Sequence, residues 1–293
     1  MEVTFGLCVK NAEKTVRETI ESIVNQKYPQ ELVEIVIVDG CSRDRTLSVL
    51  NSFTSRTDVR TRVYSDEGRG LGYSRQMVVD HAVGRYIIFV DGDVRLTDDF
   101  VQRQVEFMDA HPRVGVAVGR YMYQEGPPIS LLWSLYNHIA WIEYFGNDAT
   151  IYRREAIDEA GGFDTKIKGA CEDLDIIIRL QANGWLHCVN ANAAFHHTCR
   201  DTLRDFWTEQ TWYGYGEHYI SHKHKDLYDR QRGFPIVSPV HRLRSAARAY
   251  DFSHRKLSFL MPLLLTFAGM AWRIGFTRAH ADGYGHIIEP RVQ

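Results

Sequence analysis

The chain has 293 residues, 44% hydrophobic and 25% charged, a globular mix long enough for one large domain or two and unlike disordered, collagen-like or fibrous chains. Its five cysteines form no C-x-x-C pair, which argues against a zinc ribbon or disulfide scaffold and fits a reducing compartment. The net charge of −2 hides a split: residues 1–199 carry 21 Lys and Arg against 28 Asp and Glu, a net of −7, and residues 200–293 carry 14 against 9, a net of +5.

The opening MEVTFGLCVKN lacks the basic start and apolar run of a secretory signal peptide. Within it VTFGLCV reads as a buried strand. AEKTVRETIESIVNQ then places Val16, Ile20, Ile23 and Val24 at helical spacing. EIVIVDG is a second strand, and RDRTLSVLNSFTS a helix after a Ser42 or Asp44 cap. TRVYSDEG is a weaker strand, GYSRQMVVDHAV a helix entered through Gly70 and Gly72, and RYIIFVDGDV an apolar fourth strand. Repeated β-α-β with apolar strands implies a mostly parallel central sheet flanked by helices. Beyond about residue 200 the strand signals stop, and a helical appendage follows. We expect domains at 1–200 and 201–293.

Two apolar strands end in acids, at Asp39 and at Asp91-Gly92-Asp93. In open α/β sheets the ligand sits beyond the carboxyl ends of the strands. Period-two alternation would put Asp91 and Asp93 on one side of an extended chain, with Gly92 letting a ligand approach. Two such carboxylates make a hard oxygen site for Mg2+ or Mn2+, suited to a substrate diphosphate.

EIVIVDGCSRDRT, GLGYSRQ, YIIFVDGDV and GGFDTKIKGACEDLDIIIRLQANGW resemble, in order, the motifs of family 2 glycosyltransferases with the GT-A (nucleotide-diphospho-sugar transferase) fold. The resemblance covers about residues 1–215. It implies that Asp39 meets the nucleotide base and that Asp44 lies near the nucleoside. It also implies that the Gly70-Leu71-Gly72 helix start and Arg75 form an anion site, and that Asp91 and Asp93 bind metal and diphosphate. Asn11 keeps the family's asparagine after the first strand, although the proline of that turn is missing. Glu172-Asp173 matches the pair whose aspartate is the catalytic base, Glu172 supporting. A histidine after the last strand often adds a metal ligand, and both His196 and His197 are candidates, with spacing favouring His197. The Q-x-x-R-W motif of processive members is absent, so one sugar per event is expected.

The resemblance therefore implies an inverting transferase acting on a nucleotide sugar, a UDP-sugar favoured, with a hydroxyl acceptor on a glycan or lipid-linked glycan. A polyprenyl-phosphate acceptor is the alternative, but it needs no strong base; a non-catalytic nucleotide-sugar-binding module is a third reading. No G-x-G-x-x-G follows the first strand, against a dehydrogenase, and no Gly-rich, Arg-bearing loop lies there, against a nucleotidylyltransferase. Nucleic-acid binding is not expected of an acidic front half. The apolar run 257–272 is 16 residues long, interrupted by Pro262 and Gly269, and follows five Lys or Arg in 241–256. That pattern suits peripheral or monotopic docking at the cytoplasmic face of a membrane. The run 129–145, with Trp133, Tyr136, Trp141 and Tyr144, reads as an ordinary amphipathic helix.

Overall fold

The computed structural model describes residues 1–54, 57–140, 148–225 and 239–284. Trp141 and Tyr144 of the aromatic run lie outside the described residues. The chain divides into two compact units. The first comprises residues 1–122, 142–168 and 172–198; the second comprises 123–141, 169–171 and 199–293.

The first unit is built on one eight-stranded sheet in the order β3-β2-β1-β4-β7-β6-β8-β5. The strands are β1 (Val3–Val9), β2 (Val33–Asp39), β3 (Arg60–Ser65), β4 (Tyr86–Val90), β5 (Val94–Leu96), β6 (Val114–Tyr121), β7 (Ala149–Arg153) and β8 (Leu186–His197). β3, β2, β1 and β4 pair in parallel. Every residue of β1, β2 and β4 is buried, which is why these strands read as unbroken apolar runs rather than alternating ones. β7 is antiparallel to β4 and to β6, so the sheet is mixed though mostly parallel. Neither β6 nor β7 stood out in the sequence.

The first unit's helices are α1 (Val16–Val24), α2 (Thr46–Thr54), α3 (Leu71–His81), α4 (Phe100–Ala110), α6 (Arg154–Glu159) and α7 (Glu172–Ala182). Val16, Ile20 and Ile23 give α1 its buried stripe. One core cluster joins Val36, Val38 and Phe89 of the sheet to Val78 and Val79 of α3 and to Ile176, Ile177 and Leu180 of α7. Each such side chain contributes roughly 1.5–3 kcal/mol on full burial. The chain runs outward from β1 through β2 to β3 and then returns to β4 beside β1. This is a topological switch point, where open α/β sheets bind ligands beyond the carboxyl ends of the strands.

The second unit holds α5 (Pro128–Ala140), α8 (Leu203–Lys223), α9 (Pro239–Ser253) and α10 (Met261–Ala281). Leu131, Leu135, Phe206, Ala249, Met261 and Leu265 share its core. α8 and α10 approach closely because glycines face the opposing backbone. A Cβ on Gly214 would lie 1.9 Å from the Trp272 carbonyl oxygen, and one on Gly275 would lie 1.9 Å from that of Thr211. The apolar run at 257–272 begins in a 3-10 turn, Lys256–Leu260, and continues in α10 from Met261. Pro262 sits in the first turn of α10, where its missing N–H costs nothing, and Gly269 is accommodated mid-helix. Among the described residues, Lys256–Ala281 is the one helical stretch long and apolar enough to cross a membrane, and 39% of its most apolar window is buried within the protein.

Candidate active site

The D-x-D acids do not lie on an extended strand. β4 ends at Val90, and the Val94 N–H donates to the Asp91 carbonyl at 3.1 Å, closing a turn. The period-two argument therefore fails: the two carboxylates are separated by a turn and have different partners. Gly92 is small for the chain's own sake. A Cβ there would lie 3.0 Å from Val9 Cγ1 and 3.3 Å from Ala12 Cβ, and its carbonyl accepts from Thr15 Oγ1 at 2.6 Å.

Asp91 is held from α3. Arg75, buried on that helix, donates through Nη2 to Asp91 Oδ1 at 2.6 Å and through Nε to Glu172 Oε1 at 3.2 Å. Its guanidinium also lies over the Phe89 ring, 4.8 Å from the centroid. One cation thus joins the end of β4 to the start of α7. Burial raises the pKa of Asp91 and of Glu172, and Arg75 pulls against it in both. Burial drives up the neighbouring Cys8 thiol too, to about 12, so it is no nucleophile at neutral pH.

Glu172 and Asp173 open α7, but their surroundings differ. Glu172 is buried and paired with Arg75, whereas Asp173 is only half-buried and accepts the Leu174 N–H at 2.7 Å. Burial, followed by the adjacent Glu172 charge, holds the Asp173 carboxyl well above the usual carboxylate range. Asp175, one turn on, pairs with Arg179, which also donates to the carbonyls of Ala160 and Gly162. That pair fixes the Gly161-Gly162 turn against α7.

Asp93 belongs to a second cluster. His197 Nε2 lies 3.3 Å from Asp93 Oδ1, and its Nδ1 lies 3.1 Å from Asp148 Oδ2. The register of β5 with β8 sets this: Val94 pairs with His197 and Arg95 with His196, so the two histidines face opposite ways. His197 is the one against the D-x-D turn. Burial and Arg95 lower the pKa of His196. Burial would lower His197 as well, but the Asp93 and Asp148 carboxylates outweigh it and hold the imidazole well above its ordinary value. The donor types suit a divalent ion, with the imidazole favouring Mn2+ over Mg2+. Asp93 and His197 Nε2, with Asp91 beside them, could hold it, and the Asp148 carboxylate lies on the Nδ1 side of the same ring. Such an ion must displace the imidazole proton.

At the end of β2, Asp39 is buried, and its Oδ2 accepts the Ser42 N–H at 3.0 Å. Its Oδ1 is buried with no hydrogen-bond partner in the protein, which fits it to accept from a ligand N–H. Asp44 is engaged internally. Its oxygens accept from the Glu13 N–H at 3.1 Å and from the Thr46 N–H and hydroxyl at 3.0 and 2.5 Å. Asn11, with φ 51°, accepts the Arg43 N–H at 2.8 Å and so ties the ends of β1 and β2. The anion site expected at the start of α3 takes another form. The Leu71 and Gly72 N–H groups donate to Lys168 and Ile167 carbonyls at 3.4 and 2.9 Å, and two Arg75 nitrogens are engaged by carboxylates. Arg75 Nη1 is buried without a protein partner.

Two acids escaped the sequence reading. Asp148 stands just before β7, and its backbone carbonyl accepts the Asp91 N–H at 3.1 Å; reading ATIYR as a strand would have exposed it. Asp66 is buried after β3 and accepts from the Gly68 N–H at 2.7 Å and from Ser74 Oγ at 2.8 Å, which shapes the entry to α3.

With this geometry in hand, the comparisons with known proteins converge. A sequence profile described as Glycosyl transferase family 2 matches residues 4–169. The chain is 31% identical over 120 residues to the putative teichuronic acid biosynthesis glycosyltransferase TuaG of Bacillus subtilis, across 41% of this chain and 47% of that protein. It is 28% identical over 101 residues to poly(ribitol-phosphate) beta-N-acetylglucosaminyltransferase TarS of Staphylococcus aureus, across 34% of this chain but only 18% of that protein. The chain thus spans less than half the length of either curated relative. The solved mannosyltransferase PcManGT from Pyrobaculum calidifontis, in complex with GDP-Man and Mn2+, superposes with a TM-score of 0.61 at 18% identity, over 98% of this chain and 86% of that one. S. aureus TarS 1-349 with UDP-GlcNAc gives 0.56 at 18% identity, over 96% and 92%. These likenesses show a shared GT-A fold.

Proposed function

The chain belongs to glycosyl transferase family 2, and from that premise we propose that it moves one sugar from a nucleotide-diphosphate sugar to a hydroxyl of a saccharide acceptor, with inversion. The observation that carries this reading is the contrast between the two acids that open α7. Both carboxyls have a raised proton affinity, but Glu172 is buried against Arg75, while Asp173 is partly open. A general base works best with a pKa near the operating pH. Asp173 takes the proton from the acceptor hydroxyl, whose oxygen attacks the anomeric carbon. The bond to the diphosphate breaks on the opposite face, and the nucleotide diphosphate leaves. Asp91, Asp93 and His197 would hold a Mn2+ or Mg2+ ion, which would supply positive charge toward that diphosphate when bound. Asp39, through its unpartnered Oδ1, receives a base N–H. UDP is the favoured nucleotide because TarS 1-349 is solved with UDP-GlcNAc, and GDP is second because PcManGT is solved with GDP-Man.

The acidic pair favours a hydroxyl acceptor over a polyprenyl phosphate, which is already anionic and needs no base. We place that saccharide on a lipid at an anionic cytoplasmic membrane face. The second unit supports this: Leu243, Phe252, Phe259, Leu260 and Leu263 are exposed, as are Arg244, Arg248 and Lys256. Apolar groups for insertion and cations for anionic headgroups alternate along residues 243–263.

A panel of nucleotide sugars incubated with the protein and Mn2+ tests the reading by release of the nucleotide diphosphate. One donor should turn over, and Asp93→Asn should abolish that turnover. Absence of turnover with every donor and a broad acceptor panel would overturn it.

A further inference from the structure

Three histidines of the second unit, none of them in a motif discussed so far, converge. His218 and His222 are four residues apart on α8 and share a face. His280 comes from the last turn of α10. One ring nitrogen from each lies within 4.8 Å of the other two, and His218 Nε2 is 3.3 Å from His280 Nδ1. Two imidazoles on one tetrahedral ion, at metal–nitrogen distances of about 2.0–2.1 Å, place their nitrogens about 3.3 Å apart.

The supporting groups fit the same purpose. The His222 Nδ1–H donates to the His218 carbonyl at 2.8 Å, which leaves Nε2 with the lone pair a metal needs. Phe276, one turn before His280, sets its ring edge-on to His218 at 4.8 Å and gives the cluster an apolar wall. His218 is fully buried while His222 and His280 are exposed, so the cluster opens to solvent on one side.

From this convergence we infer that His218, His222 and His280 form a transition-metal site that clips the end of α8 to the end of α10. Three imidazoles select Zn2+, Co2+ or Ni2+ over Mg2+, Mn2+ and Ca2+, which prefer oxygen donors. The fourth position stays open to water or an exchangeable ligand. The site is chemically distinct from the carboxylate-rich cluster at Asp93 and does not depend on the transferase reading.

Co2+ titration of the untagged, chelator-treated full chain tests it, since tetrahedral Co2+ has visible d–d absorption. One equivalent should bind with that spectrum and raise Tm. The spectrum should vanish in His222→Gln and in His280→Gln, both exposed positions whose variants should keep the helical circular dichroism of the parent. It should persist in Asp93→Asn, and excess Mg2+ should not compete. An unchanged spectrum in both histidine variants overturns the proposal, as does a spectrum lost in Asp93→Asn or the lack of any tetrahedral spectrum in the parent chain.

Discussion

The two units handle polar and apolar groups in opposite ways. The first takes charge inside: Arg75, Asp91 and Glu172 meet at the strand ends, and His197 lies between Asp93 and Asp148. The second puts apolar groups outside, with Phe259, Leu260 and Leu263 exposed beside Arg248 and Lys256. Buried charge is tolerated only when paired, and exposed apolar surface persists where something covers it. The first arrangement suits a site that meets an anionic substrate. The second is the surface for which membrane docking is proposed above. Burial of charge is not itself a signature of chemistry. Glu34, at the other end of β2, is buried with Arg62 at 2.6 Å, Thr4 and the Val83 N–H, far from the carboxyl ends of the strands.

Substitutions that remove one side of each arrangement sharpen the comparison through stability and partition. Arg75→Met should have the largest effect, about 3–5 kcal/mol lost, because it leaves the buried Glu172 carboxylate uncompensated and takes the partner from Asp91. Urea unfolding reads it, and a loss below about 1 kcal/mol would mean the acids are solvated. Gly275→Val should cost about 1–3 kcal/mol or more by forcing α10 off the Thr211 carbonyl, seen as a lower Tm. Next comes Leu263→Asp. It should leave Tm nearly unchanged, since Leu263 is 68% exposed, yet weaken binding to anionic liposomes about tenfold. Deleting everything from residue 241 is a poorer test, because Met261, Leu264 and Leu265 belong to the core of that unit.

The smallest stability effect has a definite sign. The Asp173 pKa is raised in the folded chain, so its neutral form is favoured there. Its stabilising contribution is full below the unfolded carboxylate pKa and is lost as pH rises through the folded pKa. Asp173→Asn should therefore be more stable than the parent at pH 7, the gain fading toward the ordinary carboxylate range. Matched urea curves at the two pH values check this. An unchanged or lower stability at pH 7 would place Asp173 in a well-solvated setting.

Much of the first unit was legible in the sequence because its parallel strands are buried on both faces and so read as apolar runs. β7 was not, since five residues with a Thr and an Arg carry little periodic signal, and with it Asp148 was missed. The D-x-D pair was found, but its geometry was misjudged: alternation applies within a strand, and this one stops at Val90. Arg75 was picked out as an anion receptor and proves to hold two carboxylates. No local pattern reveals that, because its partners lie 16 and 97 residues away. The choice between His196 and His197 needed the register of β5 on β8. In the second unit, Pro262 read as a break although it starts a helix. The histidine cluster was invisible for the same reason as Arg75: 62 residues separate His218 from His280.

The central claim is that Asp173, not its buried neighbour, takes the acceptor proton. Donor affinity and transfer measured together on Asp173→Asn test it most directly, by calorimetry with the donor found in the panel and by product formation with an acceptor. The account predicts donor affinity close to the parent's and transfer abolished. An Asp173→Asn protein that still transfers sugar at the parental rate would contradict it.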